Sequence, residues 1–391
     1  MSGIELTSVA SMLEAVRAIA RDIAAEHAPA VDADARFPRE TFDGLRAARV
    51  LSAPLPPQWG GAGMGTEQLG AMVSALAQSC ASSAMVLAMH YSQLACLMRH
   101  GHHPELQAFL QRAGNEQLLV ASITSEVGTS GDTRRSLCAV HRDGPHFTLE
   151  KKGTTSSYAE QADAILVTAR SDPKSAEGDQ VLVLVERNQY QLVTTSAWNT
   201  LGMRGTCSPG VHLTARAPLG QVFPVPFADI ASVTMVPYAH ILWSAVWTGI
   251  ATGAYRKAAA FVRIQAQKVP SAVTAAAARL VNLSVGLQSM REGWMTAAAD
   301  FDALVSQGRD AAECASVRWA VRMNNLKIAS SEAAPRLVHE ALQTVGVAAY
   351  RNDGTYSLGR EYRDALSAAL MISNDRIGAT NASLLLISKE A

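Results

Sequence analysis

The histidines and cysteines are the first residues to consider for chemistry, because imidazoles and thiolates bind metals and act as bases or nucleophiles. Three histidines, His100, His102 and His103, lie close in sequence, but offsets of two and three direct their rings to different sides of a helix or place them in a turn. The cysteines show no C-x-x-C spacing. We therefore expect no metal site, a solvated histidine cluster and five reduced cysteines, at Cys80, Cys96, Cys138, Cys207 and Cys314.

The glycine-rich loop 56–63 is a second candidate, since it could be mistaken for a dinucleotide-binding loop. Such a loop follows a β-strand and opens a helix. Residues 5–118 instead have helical periodicity, for example at Leu13, Val16, Ile19 and Ile23, and no strand is predicted before the loop. We interpret it as a connection rich in chain breakers.

The charge and hydropathy patterns argue against two classes of partner. Lys and Arg number 34, Asp and Glu also number 34, and the formal net charge is +0 with no block of five or six like charges. The sequence thus offers no electrostatic footprint for nucleic acid or an anionic membrane. It contains neither a basic segment before an apolar N-terminal run nor a stretch of eighteen apolar residues. These patterns predict a cytoplasmic protein whose partners are small molecules or other proteins.

The predicted elements divide the chain into three domains. Residues 1–118 predict a helical domain, and residues 119–235 contain short β-rich runs such as 164–168 and 181–185. Residues 236–391 return to long Ala-rich periodicities, for which the predicted helices are 238–268, 271–307, 311–346 and 361–388. The sequence therefore predicts a mainly α protein with a central β domain, which separates an N-terminal helical domain from a C-terminal four-helix bundle.

Four short motifs occur in an order that suggests a family. Segment 125–132, Ser-Glu-Val-Gly-Thr-Ser-Gly-Asp, resembles the Thr-Glu-Pro-Gly-Ala-Gly-Ser-Asp segment of the acyl-CoA dehydrogenase superfamily. Segments 201–206, 341–346 and 362–365 resemble its Gly-Met-Arg-Gly-Ser, Leu-Gln-x-x-Gly-Gly and Tyr-Arg-Asp-Ala motifs. Phe37-Pro38 and segment 57–63 also resemble N-terminal motifs of that family. The resemblance spans nearly the whole chain and implies the acyl-CoA dehydrogenase fold, with a middle β-barrel.

The resemblance further implies an FAD cofactor whose ring lies between the β domain and the bundle. Hydroxyls and backbone N–H groups at such positions tune how readily a flavin accepts a hydride. Ordinary turn and edge-strand chemistry is the alternative explanation for these hydroxyls. The ring-binding positions implied by the family are Ser122, Thr124, Ser125, Ser130, Thr155, Ser156, Ser157 and Asn374.

Gln343 and Gly346 match family residues that meet the FAD of a neighbouring subunit, which implies a homodimer or homotetramer. A glutamine can bond a pyrophosphate, and glycine permits close approach of a phosphate or ribose. A helix C-cap at Gly346 is compatible with this role. The family's Arg-x-x-Phe-Gly, whose arginine reaches the partner's FAD phosphates, is replaced here by residues 265–269, and Arg263 is the candidate substitute.

The chain departs from the family where the catalytic base is expected. Most members remove the α-proton of a thioester with a glutamate nine residues after the arginine of Arg-Asp-Ala, and that position is Ile372. Some members place the glutamate about ten residues before a Leu-Gly pair, and that position is Ala239. Neither residue accepts a proton. We predict His240 as the candidate base, with a capping or packing role as the alternative, while Asp375 could reach only if the C-terminal helix began differently.

Two substrate positions also differ from the family. The family serine that contacts the acyl substrate falls at Gly131. Trp243 and Trp247, four residues apart on the helix that lines the family's acyl pocket, would narrow such a pocket, although core packing explains them equally well. We predict Gly131 and Trp243 as substrate-site positions.

Three functions are compatible with these residues. The first is an FAD-dependent oxidoreductase that acts on the CH–CH group of an acyl thioester carried by CoA or a carrier protein, and the motif at 125–132 favours it. The second is a flavin-dependent monooxygenase on the same fold, which the loss of both glutamates favours. The third is a flavin-binding protein without this chemistry.

Overall fold

The computed structural model describes residues 9–268 and 274–388. Helices form the N-terminal part of the described chain, where the apolar periodicity predicted them. A π-helical turn, Ala20–Ala24, links the first two. Pro104 opens the last, at a position where its missing N–H costs nothing. The helices are α1 (Val9–Ile19), α2 (Ala25–Ala33), α3 (Arg39–Ala47), α4 (Thr66–Ala77), α5 (Ala81–His100) and α6 (Pro104–Glu116).

Two four-stranded sheets follow, in the segment predicted as a barrel. One has the strand order β1-β4-β5-β8, with β1 and β4 parallel, and the other is antiparallel with the order β2-β3-β7-β6. The strands are β1 (Val120–Ile123), β2 (His141–Asp143), β3 (His146–Gly153), β4 (Ala164–Arg170), β5 (Gln180–Glu186), β6 (Tyr190–Thr194), β7 (Val211–Pro218) and β8 (Val222–Pro226).

The sequence patterns of the strands match their positions in the sheets. In β4 only the last residue is not buried, as expected for an apolar run at the centre of a sheet. In β7 buried residues alternate with less buried ones, which is typical of a strand with one face toward the core. Ile165 and Val183 from the first sheet share a core with Phe147 and Leu213 from the second. The middle domain is therefore two sheets packed around common apolar side chains.

Helices resume at Phe227 and form the C-terminal domain. The longest is almost wholly buried from Pro237 to Ala254, which explains why its sequence is apolar on every face. Segment Phe227–Lys268 is also long and apolar enough to cross a membrane, but 78% of its apolar window is buried within the protein, as in the core helix of a bundle. The helices are α7 (Phe227–Ile230), α8 (Val236–Lys268), α9 (Ala275–Ser306), α10 (Asp310–Cys314), α11 (Val317–Val345), α12 (Val347–Tyr350), α13 (Gly359–Leu366) and α14 (Asn374–Ile387).

The prediction of one continuous helix over 361–388 is wrong. The chain forms α13 and α14 with a turn at 367–373 between them. Within this turn Ile372 has a φ of +47°, a left-handed conformation that is unfavourable for a β-branched residue. The predicted helix at 311–346 likewise divides, because Ser316 caps a new helix by accepting from the backbone N–H of Trp319. Residues 271–273 of the second predicted helix lie outside the described residues.

Candidate functional site

The motifs at 201–206 and 362–365 contact each other directly. The buried Asp364 carboxyl accepts from the backbone N–H of Met203 at 2.6 Å, and Arg363 donates to the carbonyl of Leu201 at 2.7 Å. A Cβ at Gly202 would lie 2.2 Å from the carbonyl oxygen of Arg363, so only glycine fits. Burial raises the pKa of Asp364 to about 7. This contact fixes the β domain against the C-terminal helices.

A buried ion pair anchors the loop that carries the first motif. The Glu126 carboxylate accepts from Lys151 Nζ at 3.0 Å and from the backbone N–H of Cys138 at 2.7 Å. Although burial acts in the opposite direction, the Lys151 ammonium and the Ser136 hydroxyl hold the pKa of Glu126 below its usual value. Lys151 also donates to the carbonyl of Thr168 at 2.8 Å. The base of loop 125–132 is therefore fixed by paired charges.

The hydroxyl residues predicted to meet the flavin ring separate into two groups. Ser125 Oγ donates to the carbonyl of Thr155 at 3.0 Å and accepts from its backbone N–H at 3.2 Å, so the loop and the segment after β3 are joined. Ser157 accepts from Ser208 Oγ at 2.8 Å. Ser156 is different, because it is fully buried and its Oγ lies against Gly153. The partly or fully exposed members of the set are Ser122, Thr124, Ser125, Ser130, Thr155 and Ser157.

The turn at 367–373 is held by a buried lysine that the sequence reasoning missed. Lys327 in α11 is 0% exposed, and its Nζ donates to the carbonyls of Ala368 at 3.2 Å and Ile372 at 2.9 Å. It also donates to Asn374 Oδ1 at 2.7 Å and lies over the ring of Trp247. Burial lowers the pKa of Lys327 to about 8. The only available signal was a lysine in an otherwise apolar helical stripe.

His240 lies in α8 beside these residues. Its Nδ1 is 3.0 Å from the carbonyl of Met323, so Nδ1 carries the proton and Nε2 is the free nitrogen. Burial lowers the pKa of His240 to about 4, and the nearby Lys327 charge acts in the same direction. The imidazole is therefore neutral at pH 7. Ala239 beside it is buried and carries no proton acceptor.

Trp243 and Trp247 continue from His240 along α8. Their ring centroids are 6.4 Å apart, and the rings of His240 and Trp243 are 6.2 Å apart. Both indole N–H groups are buried and have no hydrogen-bond partner within the described part of the chain. Unpaired buried donors are uncommon in proteins and can be satisfied by a ligand or an ordered water. The predicted substrate position at Trp243 thus belongs to an aromatic column that ends at Lys327.

Arg376 connects the start of α14 with loop 125–132 of the β domain. Its Nη2 donates to the carbonyl of Ser130 at 2.7 Å, and its Nη1 donates to the carbonyl of Gly131. The predicted substrate position at Gly131 is thereby in contact with the C-terminal domain. We call the region where loop 125–132 meets turn 367–373 and the first turn of α14 the loop–turn junction. It brings together the motif residues of the β domain and the position of Ile372.

The residues assigned to a neighbouring subunit's cofactor lie elsewhere. Gln343 and Gly346 are at the end of α11, and Gln343 Oε1 accepts from Arg279 Nη1 of α9 at 3.4 Å. Arg263 is exposed on α8. The sequence reasoning missed Arg279 because it searched one helix earlier. Among residues 9–268 and 274–388, no group of three or more His, Cys, Asp or Glu is arranged to hold a metal ion.

The fold, the contacting motifs and the family matches together identify the class. Residues 9–117 match the acyl-CoA dehydrogenase N-terminal domain, and residues 233–372 match the acyl-CoA dehydrogenase C-terminal domain. The chain belongs to the acyl-CoA dehydrogenase superfamily. The resemblance and the fold class predicted from the sequence are thus confirmed.

Curated relatives are distant but extend along the chain. The probable acyl-CoA dehydrogenase YngJ of Bacillus subtilis is 23% identical over 92% of this chain and 93% of its own length. Cyclohexane-1-carbonyl-CoA dehydrogenase of Syntrophus aciditrophicus is 24% identical, with 92% of both chains covered. The alignment with cyclohex-1-ene-1-carbonyl-CoA dehydrogenase of Geobacter metallireducens is 28% identical, but it spans only 50% of this chain and about half of that relative, 51%.

Solved structures show the same fold. FMN-bound TdsC from Paenibacillus sp. A11-2 has a TM-score of 0.82 at 18% identity, with 96% of this chain and 97% of that chain covered. Butyryl-CoA dehydrogenase from Megasphaera elsdenii has a TM-score of 0.78 at 17% identity, with 99% of both chains covered. At these identities the likeness concerns architecture alone.

Proposed function

We propose that this protein is a flavin-dependent oxidoreductase that dehydrogenates the CH–CH group of an acyl thioester. The observation that carries the proposal is the loop–turn junction, where the anchored Ser/Gly loop of the β domain meets the turn that bears Ile372. The full-length relatives support it, because YngJ and cyclohexane-1-carbonyl-CoA dehydrogenase are both named as acyl-CoA dehydrogenases. The thioester is carried by CoA or by a carrier protein.

The donor set around the junction fits a flavin, for which FAD is our proposal. The hydroxyl oxygens of Ser125 and Thr155 are 3.4 Å apart, and Ser157 follows two residues later and pairs with Ser208. Side-chain hydroxyls of this kind are among the groups that bind flavin heteroatoms. Ser156 is the member of the predicted set that faces the domain interior. Gln343 and Gly346 would hold the dinucleotide part in a homo-oligomer. When bound, the flavin supplies a two-electron acceptor for the hydride from Cβ.

His240 is the proposed acceptor of the α-proton. Ile372 and Ala239 cannot take a proton, whereas Nε2 of the neutral His240 can, because Nδ1 already donates to the carbonyl of Met323. Nε2 would take the proton of the α-carbon, and the hydride of Cβ would go to the bound flavin. A pKa of about 4 makes His240 a weak base, so the step requires an α-proton that is strongly acidified by its neighbours.

Anaerobic titration with a panel of acyl-CoA thioesters tests the proposal. Loss of the flavin absorbance on thioester addition is expected for the wild type, and His240→Ala should lower the reduction rate by about 10²–10⁴-fold, the usual contribution of a general base. His240→Gln keeps a donor for Met323 but not a comparable base, so it should behave like His240→Ala. Unchanged reduction rates in both variants would remove His240 from the mechanism, and absence of bleaching by any thioester would reject dehydrogenation of that panel.

Flavin-dependent oxygenation is the second candidate. The absence of a carboxylate at both Ile372 and Ala239 favours it, since transfer of an oxygen atom needs no base for an α-proton. TdsC, whose fold is similar, is described as a dibenzothiophene monooxygenase. Such a reaction would consume substrate, oxygen and reduced flavin and would yield oxygenated substrate, water and oxidised flavin. Detection of such a product with externally reduced flavin would support it, and a protein that gives neither result would be a flavin-binding protein without this chemistry.

Assembly and location are part of the same proposal. Large apolar side chains are exposed in and around the last four helices, including Val347 and Tyr350 at 76% and 77% and Leu386 at 88%. Surfaces of this kind are typical of subunit contacts. A homodimer or homotetramer in the cytoplasm would cover them and would bring Gln343 to a partner's cofactor.

A further inference from the structure

Arg376 is the side chain that spans the loop–turn junction. It lies in the first turn of α14, four residues after Ile372, and its guanidinium donates to the carbonyls of both Ser130 and Gly131. These partners are 245 and 246 residues away in sequence. The side chain of Arg376 therefore connects the C-terminal helices to the β domain at this junction.

Gly131 makes the room that Arg376 occupies. A Cβ at position 131 would lie 3.1 Å from both terminal nitrogens of Arg376, and the φ of Gly131 is +76°, a conformation that side chains rarely adopt. Ser130 before it also has a positive φ, of +52°. The guanidinium of Arg376 thus lies where a side chain at position 131 would be, and it supplies the polar groups at this place.

The guanidinium retains both charge and donors. Two of its five N–H groups bind carbonyls, so three have no partner among the residues that the structure describes. No carboxylate of the described residues lies within ion-pair distance of it, although the charges of Arg134, which pairs with Asp132 at 3.0 Å, and of Arg376 both lower the pKa of Asp132. Arg376 is only partly buried. An oriented cation with free donors at the edge of a site favours ligands that are rich in acceptors or negatively charged.

We propose that Arg376 is a specificity-determining residue that binds the phosphopantetheine arm of a thioester substrate. The inference rests on the proposed dehydrogenase function. Beyond the amide nearest to the thioester, the arm offers a second amide carbonyl and a phosphate, which are both acceptors, and this part is shared by CoA and by acyl carrier proteins. A small aromatic or aliphatic substrate without such an arm has no comparable group for Arg376. The residue therefore separates the two candidate functions.

The test compares thioesters with one acyl group on three carriers: CoA, a holo carrier protein and N-acetylcysteamine, which lacks the phosphate and one amide. Dissociation constants come from perturbation of the flavin spectrum in the oligomeric holoenzyme. Arg376→Ala should raise the constant about tenfold or more for both arm-bearing thioesters, the usual loss for a hydrogen bond to a charged group, and should leave the N-acetylcysteamine thioester within about twofold. Arg376→Lys should give an intermediate value, because it keeps the charge without the fork.

Arg170→Ala is the matched control, since this arginine also binds backbone carbonyls, those of Pro173, Ser175 and Leu137, but lies outside the junction. Gly131→Ala tests the same contact, because the added methyl group displaces the guanidinium. It should weaken binding of the arm-bearing thioesters more when it is made in the wild type than when it is made in Arg376→Ala. Equal losses for all three thioesters, no loss, or a loss for CoA alone would each overturn the proposal. If no thioester perturbs the wild-type flavin, the dehydrogenase function fails as well.

Discussion

Lys151 in the β domain and Lys327 in the bundle are both completely buried, but their partners differ. Lys151 donates to the carboxylate of Glu126, so its charge is compensated by an equal charge at 3.0 Å. Lys327 donates to two carbonyls and one amide oxygen, and none of these partners carries a charge. Two walls of one junction are therefore stabilised in different electrostatic ways.

Because of this difference, we expect the Lys151 side of the junction to tolerate substitutions poorly and the Lys327 side to tolerate them better. A compensated buried pair tolerates no single change, because removal of one charge leaves the other buried and alone. The family motif persists on that side, at residues 125–132. On the other side the uncompensated Lys327 holds the backbone of the turn, so the identity of residue 372 is free to change without disturbing its support. The position that we predict to match the family glutamate can therefore be an isoleucine while the support of the turn is retained.

Lys151→Met should have the largest effect on the unfolding free energy, because it removes the charge that compensates Glu126. Glu126 would remain buried without its cation, and such a change costs about 3–5 kcal/mol of unfolding free energy. Urea denaturation with matched m-values measures it. The double variant Lys151→Met/Glu126→Gln should recover part of the loss, because no charge is left unpaired. A single-variant loss below about 1 kcal/mol would contradict the role of the pair.

Lys327→Met should have a smaller effect, because no carboxylate is left behind. The loss of hydrogen bonds to the turn costs about 1–2 kcal/mol at pH 7, offset in part by removal of a buried charge. The comparison also predicts a pH dependence. Since the pKa of Lys327 falls from 10.5 to about 8 on folding, the unfolded chain binds more protons than the folded chain between these values.

The free-energy cost of keeping the Lys327 charge buried is therefore fully present below pH 8 and disappears as the pH rises to 10.5, in addition to the hydrogen-bond contribution given for pH 7. The wild type should gain unfolding free energy relative to Lys327→Met as the pH rises from about 8 to 10.5. His240 and Glu332 are the titratable groups coupled to this site, so the difference between the two proteins, rather than either curve, is the measured quantity. A constant difference across that range would show that the lysine keeps its proton.

Arg279 is a third cation to compare with Lys151 and Lys327. Like Lys327, it has no ion-pair partner in the described chain. It is exposed beside Gln343, so we expect it to replace the missing family arginine at the partner's FAD phosphates. Arg279→Ala should raise the dissociation constant for FAD about tenfold and that for FMN less, because FMN lacks the second phosphate and the adenosine. Fluorescence titration of the apoprotein measures both. Arg263→Ala is the control on α8, and a loss confined to that variant would restore the original sequence-based assignment.

The sequence predicted the elements whose determinants are local. Strands β4 and β5 contain the runs predicted at 164–168 and 181–185, because a continuous apolar segment of that length between chain breakers is itself the signal. The contact between Met203 and Asp364 joins segments 161 residues apart and was not predicted from the sequence. The assignments of individual site residues remain predictions, and the buried placement of Ser156 shows why, since alternation along a segment decides which hydroxyl faces outward.

The break at 367–373 could not be predicted in this way. The residues of this segment continue the helical pattern, and the turn depends on Lys327, which is 41 and 45 residues from the carbonyls that it binds. Arg376 is likewise a surface residue in the sequence, and only the fold brings it to Ser130 and Gly131. Contacts that join distant segments leave no periodicity to detect.

The left-handed backbone of Ile372 has a consequence for the stability of this protein. A β-branched residue at a φ of +47° stores strain of about 1–3 kcal/mol, which glycine or asparagine would largely release. Because either substitution would also leave in place the carbonyl that Lys327 binds, position 372 is one at which a single change can raise the unfolding free energy of this protein.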